Sequence, residues 1–114
     1  MIVFDDEQVQ RARAAMLPDE VVVEVAETFK VLSSATRGRL IRALSAGELC
    51  VNDLSAVLGM SISATSHQLQ ALRRSGIVGH RTVGKHIYYG LRDSFVARLL
   101  TDCVTKKNDI GVGL

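Results

Sequence analysis

Between residues 61 and 74 the chain places Ser61, Ser63, Ser66, His67, Gln68, Gln70 and Arg74, with no acid among them. Hydroxyl, amide, imidazole and guanidinium groups donate to phosphate oxygens and to base edges in a major groove, so this set points to nucleic-acid recognition. Arg81, Lys85 and His86 follow around a glycine-bearing turn. A basic turn beside such a helix can reach the sugar-phosphate edge or the minor groove. The competing reading is a small helical protein with a solvated polar face. No G-x-S-x-G turn, glycine-rich phosphate loop or H-E-x-x-H run occurs, and Cys50 has no histidine near it in sequence. With 114 residues there is also little room for a deep substrate pocket, so an enzyme is not expected.

These groups act only if a helix and a hairpin hold them. Asn52 reads as the cap of a short helix, Asp53 to Leu58, that stops at Gly59. Ser61 caps a second helix that runs to Gly76. With Leu69 turned inward, Ile62, Thr65 and Leu72 share its side, while Ser63, His67, Gln70 and Arg74 face away. Two helices around a tight turn make a helix-turn-helix. Then IVGHRT, VGK and HIYYGL read as a hairpin, with Ile87, Tyr89 and Leu91 alternating against His86, Tyr88 and Gly90.

The remaining elements frame this unit. Residues 5–17 read as a helix with acids in its first turn, ended by Pro18. Asp19 can cap the next helix, where Val21, Val22, Val25, Phe29 and Leu32 recur at helical spacing until Ser33 and Ser34 break it. Thr36 to Ala46 reads as another helix with Gly47 as its C-cap. Asp93 caps a last one bearing Phe95, Val96, Leu99, Leu100, Cys103 and Val104. The division expected is a helical arm over 1–18, one domain over 19–107 and a loose tail over 108–114.

Charge follows the same division. Residues 1–35 carry seven acids and three bases, whereas residues 36–92 carry eight bases and two acids, Glu48 and Asp53. A basic middle suits an anionic partner. No apolar run approaches a membrane span, and the acids after the first residues argue against a secretory leader. Two cysteines 53 positions apart form neither a disulfide scaffold nor a C-x-x-C motif, which fits a reduced cytoplasmic setting.

The run ELCVNDLSAVLGMSISATSHQLQALRRSGIVGHRTVGKHIYYGL resembles the core of the ArsR/SmtB family of winged-helix repressors, and FKVLSSATRGRLIRAL resembles its preceding helices. The resemblance covers residues 19–105. It implies a mainly α fold with a small β-hairpin wing, a dimeric winged helix-turn-helix. It also implies a homodimer that binds a palindromic double-stranded DNA operator. The family's DNA-contacting positions fall on Ser63, Ser66, His67 and Gln70, and its wing on Arg81 and Lys85. Family dimers pair through the first and last helices. The stripes Val21, Val25, Phe29 and Phe95, Leu99, Cys103 are wider than one short chain needs, which suits an isologous interface; the bland alternative is that they complete the monomer core.

Many members release DNA on binding a metal. One family ligand pattern falls here on Asp93, Phe95, Lys106 and Asp109, of which Phe95 has no donor atom and Lys106 brings a cation. A second, C-x-C, falls on Cys50 and Asn52, and the stretch before Pro18 offers Met16 but no cysteine. The partner of a family redox cysteine falls on Arg42. Both familiar metal sites thus read as degraded. The leftover candidates for a zinc, nickel or cobalt effector are Asp93, Asp109, Cys50, Cys103, His80 and His86. Each has a plainer role in packing, capping or DNA contact. Three forms of control stay open: constitutive binding, an effector site supplied by a second regulatory protein, and an unfamiliar metal- or thiol-responsive site. A winged helix that binds protein rather than DNA is the alternative of another class.

Overall fold

The computed structural model describes residues 5–92 and 94–113, with side chains described through residue 108. Helix α1 (Asp6–Ala15) opens with the Asp5 carboxylate accepting from the Glu7 and Gln8 amides at 3.1 and 3.2 Å. Helix α2 (Asp19–Leu32) follows Pro18. The cap position falls on Pro18 rather than Asp19, which becomes the first helical residue and lends its charge to the dipole instead of its side chain to a cap. Ser34 accepts from the Arg37 amide to start α3 (Ala35–Leu44). That helix ends sooner than its periodicity predicts: Ser45 is the C-cap, and Gly47, at φ +145°, lies in the loop beyond.

The next boundary also moves, for a tertiary reason. Leu49 and Cys50 form strand β1, paired antiparallel with Tyr89 and Tyr88 of a later strand. Extended Cys50 is therefore the N-cap of α4 (Val51–Leu58), and Asn52, read as the cap, sits inside the first turn. Gly59 closes α4 at φ +66°, a left-handed position that suits glycine. Helix α5 (Ile62–Arg74) comes next, then β2 (Val78–Val83), β3 (His86–Leu91) and α6 (Phe95–Gly113). The backbone of α6 runs on through residues assigned above to a loose tail. Asp93, its expected cap, lies outside the described residues.

The sheet order is β1-β3-β2. One core joins α3, α4, α5 and the sheet, with Leu40, Ile41, Leu54, Leu69, Leu72 and Val78 almost fully buried and Tyr89 and Val96 closing its edge. Thr65 is buried with them, and its hydroxyl donates to the Ser61 carbonyl at 2.8 Å, so no polar group is stranded there. Helices α1 and α2 contribute no buried residue. The radius of gyration is 19.1 Å, against about 13 Å for a self-contained domain of this length.

Candidate nucleic-acid interface

Two helices and a hairpin present the groups singled out above. The turn between α4 and α5 is tied by the Ser55 hydroxyl donating to the Met60 carbonyl. Ser61 caps α5, accepting from the Ala64 amide at 3.0 Å, so one hydroxyl lone pair serves the fold. Ser63, His67, Gln70 and Arg74 are exposed along α5, and Arg73 beside Arg74 is exposed as well. Ser66 and Gln68 are half-buried. Gln68 is held: its Oε1 accepts from Arg37 Nε at 3.1 Å, and Arg37 Nη1 also donates to the Val31 carbonyl at 3.4 Å.

The wheel reading of α5 holds for Thr65, Leu69 and Leu72, all buried, but not for Ile62, which is 54% exposed. Ile62 is the first helical residue, and core contact begins one turn later, at Thr65. An apolar group therefore stands exposed at the N-terminal end of α5, a position that periodicity assigns to the core.

In the wing, Gly84 carries φ +61° at the two-residue turn that sets Val83 opposite His86. Lys85 and His86 lie exposed at this tip. Arg81 is already engaged. Its Nε meets Glu48 Oε2 at 2.6 Å, and its guanidinium carbon lies 5.8 Å from the Tyr88 ring centre. Charge counting shows Glu48 only as one of two acids in the basic middle; its pairing with residue 81 depends on β3 lying between β1 and β2, which no local pattern reveals.

The register separates the wing histidines. Cross-strand partners share a face, so His80, opposite Tyr89, lies on one side, and His86, opposite Val83, on the other. His80 stacks on Tyr89 with ring centres 5.9 Å apart, while His86 meets Tyr88 edge-on at 6.4 Å. The two do not converge on one ion. Cys50 is half-buried in β1, and Cys103 is exposed on α6. Asp93 lies outside the described residues, as does the side chain of Asp109. Among the described residues no three His, Cys, Asp or Glu side chains group as metal donors.

Away from the wing, α2 and α6 leave an apolar strip uncovered. Val21, Val25, Phe29 and Phe95 are exposed, and Leu99 is half-buried. Phe29, Leu99 and Cys103 help line a groove of about 300 Å³ floored by Ile41. Among the described residues no helix is long and apolar enough to cross a membrane.

Comparison with known proteins places this arrangement. Residues 34–79 match the family described as bacterial regulatory protein, arsR family. The transcriptional repressor SmtB homolog of Synechocystis is 41% identical over 93 residues, 82% of this chain and 70% of that protein. The chain belongs to the ArsR family. This ArsR-family chain is also 36% identical to the HTH-type transcriptional regulator NmtR of Mycobacterium tuberculosis, over 89% of its own length and 84% of NmtR. The solution structure of apo-NmtR superposes with a TM-score of 0.72, covering 88% of this chain and 84% of that one. A homodimeric winged helix-turn-helix DNA-binding domain from Mycobacterium bovis, 28% identical, gives 0.73 over 83% and 91%. The fold is a winged helix-turn-helix, and the protein is a transcriptional regulator of the ArsR/SmtB type, not an enzyme.

Proposed function

We propose that the chain represses transcription by binding a palindromic duplex operator as a homodimer, in the cytoplasm. The observation that carries this is the exposed face of α5: Ser63, His67, Gln70 and Arg74 stand free of acids along it, and an exposed basic hairpin tip follows in the chain. Each α5 would enter a major groove, and two-fold symmetry sets half-sites about one helical turn, or a multiple, apart. The bare strip on α2 and α6 supports the dimer. It accounts for the extended shape and would bury apolar surface that one chain leaves wet. Ser61 caps the reading helix and Gln68 ties it to Arg37, while half-buried Ser66 stays among the residues that would face the duplex; Lys85 and His86 would meet its backbone.

Fluorescence anisotropy on the duplex upstream of the protein's own gene tests this, metal-free and reduced. The expected result is tight binding that weakens steeply with salt, as displaced counterions require. Salt-insensitive binding, or binding to a protein instead, would overturn it.

A metal- or thiol-responsive sensor is the second reading. It is favoured by the 34% identity to a protein named cadmium resistance transcriptional regulatory protein CadC homolog, from Staphylococcus aureus, and by exposed Cys103 at the α2–α6 groove. Against it stand Phe95 and Lys106 at two of four ligand positions, which offer a soft or borderline ion no donor. Repeating the titration with zinc, nickel or cobalt separates the two. A tenfold change in DNA affinity, worth about 1.4 kcal/mol, would establish a sensory site in this chain or between two copies of it. A second regulatory protein supplying the effector would leave the purified chain insensitive.

A further inference from the structure

No acid occurs between residues 54 and 92, yet the wing arginine is not free, because Glu48 reaches it from just before β1. The route is built into the sheet. Glu48 must cross β3 to touch β2, and Gly90 and Gly79 face each other on that path. A Cβ on Gly90 would lie 3.0 Å from Glu48 Cγ, so glycine there lets the carboxylate lie flat over the strand. Tyr88 flanks the guanidinium, and the Arg92 stem packs over Gly79. The result is a shallow pocket with two arginines and one carboxylate. Both partners of the ion pair remain largely solvated, at 63% and 45% side-chain exposure. An exposed pair of this kind is easily exchanged for another anion.

We propose that Glu48 is an internal stand-in for a DNA phosphate: its carboxylate occupies the anion position on Arg81, and phosphate must displace it when the wing engages the duplex. The inference rests on the DNA-binding reading above. Glu48 thereby lowers affinity for all sequences alike, and the contrast between operator and other DNA is left to α5.

The test is anisotropy with the full chain, on the upstream duplex and a scrambled one, over a range of salt. Wild type, Glu48→Gln, Glu48→Ala, Arg81→Gln and Glu48→Gln/Arg81→Gln are compared. Both Glu48 variants should bind both duplexes roughly threefold more tightly with little change in salt slope, since Arg81 neutralises the same phosphate in each. In the Arg81→Gln background the gain should fall below about 1.5-fold, since the effect runs through that side chain. Unchanged or weaker binding by folded Glu48 variants would overturn the proposal and leave the pair as a strap across the sheet. An equal gain without Arg81 would overturn it too, in favour of a general charge effect. If wild type binds neither duplex, the DNA-binding reading fails first and takes this inference with it.

Discussion

Arg37 on α3 joins the end of α2 to α5, donating 3.4 Å to the Val31 carbonyl and 3.1 Å to Gln68 Oε1. It is a part-buried guanidinium with two neutral acceptors, so its loss leaves an amide unsatisfied at the back of the reading helix. Arg37→Ala is expected to cost about 1–3 kcal/mol in urea unfolding. Gln68→Ala should lower stability by a smaller amount, about 1 kcal/mol. Both should weaken DNA binding through helix placement, without changing which bases are preferred.

His67 and Gln70 behave differently because no hydrogen bond or ion pair to their side chains is found among the described residues. His67→Ala and Gln70→Ala should leave the unfolding midpoint unchanged while each removes about 1–3 kcal/mol of base discrimination. The check is a competition titration against single-base-pair variants of the operator. Full affinity and intact preference in both variants would remove them from the reading face.

Lys85 sits at the wing tip with no base edge assigned to it. Lys85→Ala is expected to weaken binding to every duplex alike and to reduce the salt slope by about one. A sequence-dependent loss would place this residue in a groove rather than on the backbone.

Val25 faces outward from α2 and contributes nothing to the monomer core. Val25→Glu should leave the helical content intact, yields monomer in sedimentation velocity, and weakens operator binding by about 10²-fold as the second half-site is lost. A Val25→Glu dimer of unchanged affinity would show that α2 lies outside the interface.

Leu69, fully buried from the inner face of α5, is the control. Leu69→Ala should destabilise the chain by about 2–5 kcal/mol, a cavity effect that lowers DNA binding only by depleting folded protein.

Much of this was legible in one dimension. The α5 periodicity predicts Thr65, Leu69 and Leu72 inward, and Ser61 and Gly59 bracket the turn by local chemistry alone. The alternation along β3 sets Ile87, Tyr89 and Leu91 on one face: Tyr89 is buried and Leu91 half-buried, but Ile87, near the hairpin tip, is exposed because the core does not extend that far. What was not legible depends on distant strands. Leu49 and Cys50 make too short a strand to show a period, so the cap moved off Asn52 once β3 paired with them. Ile62 follows the helical pattern but lies past the edge of the core it would join. Arg37 and Arg81 find partners 31 and 33 residues away, and Arg42 reaches Thr101 at a separation of 59. Composition reads them as free charge, and only the packing shows which positive groups remain for an anion.

Cys50 ends β1 and caps α4 in the same residue, so no linker separates the sheet from the helix pair. A tilt of the hairpin is therefore geared to the first turn of α4 through a single set of backbone torsions. Wing and reading helix would then approach a duplex as one unit, with the angle between them set at the base of the hairpin rather than by the DNA.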